Sequence, residues 1–161
     1  MRLRSLGVVL VVLVVAAVPL AASGHTRAAA PCSPRVHDGL LPVWMRGGFS
    51  PNPRTTYALG QHGSIGAVLW GERALNAPPA QSRNNKILWV PRHASKSVAA
   101  LWIRMQKMDG ATAVGAPVRR IIKTGPGPSL VDAPSAGCWR FTLTWSGRQD
   151  TLDLAYVAPT N

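Results

Sequence analysis

Acidic side chains are scarce in this chain: six Asp and Glu stand against eighteen Lys and Arg in 161 residues, a formal net charge of +12. The six are Asp38, Glu72, Asp109, Asp132, Asp150 and Asp153. They supply no close pair for two-carboxylate glycosidase chemistry, since Asp150 and Asp153, three apart on a strand, fall on opposite faces. Cysteine is rarer still, with two, and without a CxxC spacing or an adjacent histidine these make no metal site. The histidines at 25, 37, 62 and 93 match no compact metal motif. There is no Gly-x-Ser-x-Gly elbow, and Gly125-Pro-Gly-Pro lacks the free amides that cradle phosphate. No catalytic residue, metal or cofactor is therefore expected. No apolar run reaches the about 20 residues of a membrane-spanning helix, and neither a long helix nor an internal repeat is visible.

What is present begins with an export signal. Arg2 and Arg4 give a positive start, and residues 8–18 are all Val, Leu and Ala, the length of a signal-peptide core. Small residues at 21–23 place cleavage after Ser23, with 28–30 as the alternative site and an uncleaved N-terminal anchor as the alternative fate. Pro31 beside Cys32 does not suit a lipoprotein signal. The expected organisation is a signal peptide over 1–23 in helical form, a flexible lead-in over 24–36 and one domain over 37–158. Loss of Arg2 and Arg4 leaves 16 basic against 6 acidic residues, or +10. Export also makes the cysteines legible, because an oxidising compartment allows one bridge, Cys32–Cys138. Two unpaired thiols, with Cys138 buried, are the alternative.

The strongest structural signal is C-terminal. Trp139, Phe141, Leu143 and Trp145 alternate with polar residues, as do Leu152, Leu154 and Tyr156, the period of two half-buried strands. A Gly147-Arg148 loop suits a type II′ hairpin turn, which sets Leu143 against Leu152, Phe141 against Leu154 and Trp139 against Tyr156. Further strands are expected over 40–46, 55–59, 64–70 (apolar on both sides), 86–90, 97–108 and 117–123. Gly- and Pro-rich loops lie over 47–53, 71–85 and 124–128, and Asp109-Gly110 marks a turn. Seven to nine short strands with regular turns predict an all-β, antiparallel, immunoglobulin-like sandwich.

The strand Asn85-Lys-Ile-Leu-Trp-Val90, Gly-Pro-Gly-Pro-Ser at 125–129 and Pro134-Ser-Ala-Gly-Cys-Trp139 together resemble a group of uncharacterised exported bacterial proteins. In that group a Pro-x-x-Gly-Cys-Trp strand pairs with a final strand. The resemblance spans roughly residues 40–157 and implies a small extracytoplasmic β-sandwich; it carries over no activity, ligand or catalytic residue.

For function, a strongly basic chain favours loose association with anionic surfaces: lipid head groups, acidic wall polymers or nucleic acid. Most of its arginines are isolated, as on solvated strand faces. The densest patch is Arg119, Arg120 and Lys123, extended by Arg92, Lys96, Arg104 and Lys107, either an anion site or an edge strand charged against aggregation. Trp44 and Trp102 alone among the tryptophans fall outside core-like patterns. The leading expectation is a non-enzymatic binding or interaction module at the cell envelope, its partner unknown and no specific nucleic acid expected. The alternatives are an anion-binding module for wall polymer or lipid head groups, and a hydrolase using His37, His62 or His93. In the last, His37-Asp38 or His62-Gly63-Ser64 would supply the chemistry, although ordinary loop histidines account for all three.

Overall fold

A computed structural model describes residues 30–70, 73–79, 85–93 and 99–159. The signal segment, Lys96 and Glu72 lie outside the described residues. Among the described residues ten strands run β1 (Val36–Leu40), β2 (Arg54–Leu59), β3 (Ile65–Val68), β4 (Leu75–Asn76), β5 (Lys86–Pro91), β6 (Leu101–Asp109), β7 (Thr112–Ile122), β8 (Pro128–Leu130), β9 (Gly137–Trp145) and β10 (Arg148–Val157). They form two five-stranded sheets. The first has the order β1-β2-β3-β5-β8 and the second β4-β10-β9-β6-β7. Every neighbouring pair is antiparallel except β4 with β10.

Between the sheets lies one apolar core. Ala58, Ile65, Ala67, Ile87 and Trp89 of the first sheet meet Leu101, Ile103, Met105, Trp139, Phe141, Leu143, Trp145, Leu152, Leu154 and Tyr156 of the second. These second-sheet residues are the inward set of the alternation on β6, β9 and β10, so the period-two pattern is what fills the core. Trp89 and Phe141 bridge the sheets with ring centroids 5.9 Å apart. Tyr156 stacks on Phe141 and donates its hydroxyl to the carbonyl of Val131 at 2.7 Å. Burial, with a further push from nearby Asp132, raises the pKa of that phenol and keeps it a neutral donor. At one end Asn85 joins the sheets. Its amide pairs with both main-chain groups of Asn76 on β4, at 2.7 and 2.8 Å, and its nitrogens reach Asp132.

Several expectations change against this frame. The strand expected over 40–46 does not form; β1 ends at Leu40. Pro42 fixes φ and lacks an N–H, and after β1 the chain makes one 3₁₀ turn, Val43–Met45. That turn seats Leu41 and Met45 against Val68 and Tyr57 on the outer side of the first sheet, which is why β3 is buried on both faces, as its sequence predicts. Trp70, read as core, is 47% exposed; a positive φ of 53° turns it out of β3, and Lys86 lies over its ring at 5.6 Å.

The C-terminal hairpin keeps the expected faces but shifts its register by two residues. Trp145 pairs with Arg148, Leu143 with Asp150, Phe141 with Leu152 and Trp139 with Leu154. The turn is Ser146-Gly147 with φ of 45° and 72°, a type I′ turn rather than II′, whose twist suits a hairpin. A two-residue slip leaves every side chain on its own face, so alternation alone does not choose between these registers. Asp150, of the same parity as Leu152, lies in the buried row in either register; the shift moves it from opposite Trp145 to opposite Leu143.

Part of the expected flexible lead-in is pinned. Cys32 is disulfide-bonded to Cys138, 106 positions later. The amide of Cys32 donates to the carbonyl of Gly110 at 2.7 Å and that of Ser33 to Asp153 Oδ2 at 2.8 Å. Residues 30–35 are thus a strap. Because Trp139 and Phe141 point inward, Cys138 and Arg140 point outward, and the strap lies on the outer face of the second sheet.

Candidate functional site

The outer face of the second sheet is organised in rows fixed by strand register. Met108, Cys138 and Ala155 form one row; Gln106, Arg140 and Asp153 form the next. The strap covers both. Here charge is matched: Arg140 Nε and Nη2 each donate to a separate oxygen of Asp153 at 2.9 Å, and Nη2 also reaches the carbonyl of Pro31. The bond to Asp153, opposed by partial burial, raises the pKa of the Arg140 guanidinium and keeps it charged.

Beyond the strap two rows stay open. One is Arg119, Arg104, Thr142 and Thr151; the other is Ile121, Trp102, Thr144 and Gln149. Trp102 is 56% and Ile121 48% exposed. With Ile103 and Arg120, all of these residues except Thr151 line a depression of about 560 Å³, within the size range of small-ligand sites. Arg104 and Arg119 are direct cross-strand partners, which puts their Cβ atoms about 5 Å apart, and like charges so placed destabilise a sheet. Among the described residues no carboxylate bridges either one. Arg104 donates to Gln106 Oε1 at 3.2 Å, which among the described residues leaves most of its fork unused.

A β-bulge creates this juxtaposition. Counting back from the turn, where Asp109 pairs with Thr112, Arg104 would meet Pro117. Instead the pairing jumps between Lys107–Val114 and Met105–Val118, so residues 115–117 oppose Gln106 alone. The buried Gln106 amide holds the bulge, donating to the carbonyls of Val114 (2.9 Å), Gly115 (3.2 Å) and Lys107 (3.2 Å). Pairs nearer the open end are thereby advanced by two, and Arg119 arrives opposite Arg104.

Of the basic patch read from sequence, Arg119 and Arg120 both line the depression. They leave β7 on opposite sides, and Arg120 turns back so that its Nη1 donates to the carbonyl of Arg119 at 3.1 Å. Lys123 is exposed past the end of β7 and is not part of the lining, nor are Arg92 and Lys107. Lys107 instead donates to Ser135 Oγ at 3.0 Å. Trp44 is half-buried over the outer side of the first sheet, so Trp102 is the tryptophan at the depression.

The histidines are distributed differently. His37 stacks on Tyr57 at 5.1 Å, and His93 is exposed after β5. His62, in the β2–β3 loop, places Nδ1 3.2 Å from Asp150 Oδ1, and Ser64 Oγ donates to Asp150 Oδ2 at 2.8 Å. The three residue types of a serine-hydrolase triad are thus adjacent, but in the wrong order. The hydroxyl gives its proton to the acid, and the imidazole, 74% exposed, makes no bond to it; a triad needs the serine on the imidazole.

Asp150 serves the loop instead. Its fully buried carboxylate also accepts from the amides of His62 (3.0 Å), Ser64 (2.9 Å) and Thr151 (2.8 Å). It packs so closely on Gly60 that a Cβ there would collide with it. Burial opposes its charge, but these hydrogen bonds outweigh burial and hold its pKa below the ordinary carboxylate value.

No family model, curated protein or solved structure matches this chain.

Proposed function

We propose that this protein is exported and works outside the cytoplasm as a non-enzymatic binding module. In this reading its immunoglobulin-like sandwich takes an anionic envelope component on the open half of the second sheet's outer face. The observation that carries it is the opposed pair Arg104–Arg119. On the same face Arg140 is matched oxygen for oxygen by Asp153. Arg104 and Arg119 have no described carboxylate, and they flank an exposed indole in a concave surface. An incoming carboxylate or phosphate converts their mutual repulsion into two charge-assisted contacts. The leader sequence and the Cys32–Cys138 bridge support an oxidising compartment. The antiparallel two-sheet arrangement supports the immunoglobulin-like reading.

The test is co-sedimentation with isolated envelope over a salt series. Wild-type protein is expected to bind and to be released by salt. Arg104→Glu/Arg119→Glu should weaken binding roughly tenfold or more, by the loss of charge-assisted contacts, without lowering the melting temperature. Equal retention of the wild type and the charge-reversed variant removes the reading.

A further inference from the structure

Resting on the anion-binding reading, we propose that the occupant of the depression is an acidic polysaccharide. A sugar ring sits against Trp102 and Ile121, and its acid group, or that of the adjoining residue, lies between Arg104 and Arg119.

The two open rows differ in chemistry along the strand direction. One pairs Trp102 with Ile121, while the next, two residues along, pairs Arg104 with Arg119. Two residues on a strand span about 7 Å, a separation that one acidic sugar residue bridges once the reach of the arginine side chains is added. The indole offers a flat surface to the apolar C–H face of a pyranose. Around it Thr142, Thr144 and Gln149 line the same depression with side chains that donate and accept, which is what sugar hydroxyls require.

Two other anions fit less well. Insertion into a bilayer uses apolar side chains at projecting tips. Trp102 and Ile121 are instead strand residues within a depression, bordered by arginines and threonines, so a flat lipid surface meets the border before the ring. Single-stranded nucleic acid is held by successive aromatic platforms along a basic groove, and among the described residues this depression has one aromatic side chain, Trp102.

The experiment is calorimetric titration of the protein with polygalacturonate and with a glycosylated glycerol-phosphate polymer. Neutral dextran, phosphatidylglycerol vesicles and oligothymidylate run in parallel. Binding to at least one acidic glycan and not to dextran is expected. Trp102→Ala should weaken it at least roughly tenfold, as truncating an aromatic anchor does, and Trp102→Phe should retain most of it. Arg104→Ala/Arg119→Ala should weaken it as well. Trp102 is exposed, so melting temperatures should stay unchanged and report any misfolding. Glycan binding that ignores Trp102 but needs the arginines overturns the sugar seat and leaves the anion reading standing. So does arginine-dependent binding to vesicles or oligothymidylate with none to either acidic glycan. Failure of the arginine variant to alter binding to any anion overturns both.

Discussion

Replacing Asp150 with alanine is expected to destabilise the protein by about 3–5 kcal/mol, a fall of roughly 10–15 °C in melting temperature. The side chain is fully buried, and three backbone amides and one hydroxyl end on it. Removing it strands those donors and opens a void against Gly60. It also cuts the link between the β2–β3 loop of the first sheet and β10 of the second, leaving there the bond from the Gln61 amide to the carbonyl of Thr151. Asp150→Asn preserves shape but not acceptance. Donors converge on both oxygens, so an amide nitrogen must face one group of them whichever way it is turned, and most of the loss should remain.

The two substitutions also separate in acid. The folded-state pKa of Asp150 is lowered from 3.8, so its contribution is complete above the unfolded value and disappears as pH falls through the folded one. Wild-type urea midpoints should therefore fall through the acid range below about pH 4, with a smaller fall in Asp150→Asn. Parallel acid profiles for the two proteins would show that the carboxylate is not the group responsible.

Cys138→Ser should cost about 2–5 kcal/mol. The bridge spans 106 positions, and for a loop of that length the chain-entropy model gives about 4.7 kcal/mol. Cys32→Ser should cost the same, and the double substitution no more than either single one, because all three remove one bond. Denaturant midpoints for the three variants decide this; additive losses would mean that the sulfurs contribute separately. Before reduction no thiol should be alkylated, and after it two should be.

The hairpin shows how far the sequence reading reaches. Alternation over 139–145 and 152–156 identifies two strands and their inward faces, because burial has the same period as the side chains. It does not identify the register, since a slip of two residues costs no face; the decision rests with Ser146 and Gly147, both at positive φ. Asp150 carried a readable signal, an acid in step with Leu152, Leu154 and Tyr156, which marks a buried carboxylate needing donors. Apart from the amide of Thr151, its donors come from residues 62 and 64, far away along the chain, and nothing local points to those. Arg119 was legible as a basic residue on a strand, but its opposition to Arg104 was not. That depends on a bulge, and three residues standing against Gln106 is a property of two strands together. The 3₁₀ turn is not legible in the sequence because Leu41, Val43 and Met45 mimic a strand's period, while Pro42 between them removes the donor such a strand would use.

The strap has a mechanical consequence. When residues 30 and 159 are pulled apart, tension enters at Cys32 and crosses the sulfur bridge into Cys138, then runs through β9 and β10. The intervening chain, which includes the whole first sheet, hangs from that path as a slack loop. Stretching the oxidised protein can release only the length between Cys138 and the far end. In the reduced protein the 106 positions of the loop join the path, adding about 350 Å of extended chain. Redox state therefore sets how far this domain can lengthen under force, and the depression straddles the two parts, with Trp102, Arg104 and Arg119 on the enclosed loop and Thr142, Thr144 and Gln149 on the strands that carry the tension.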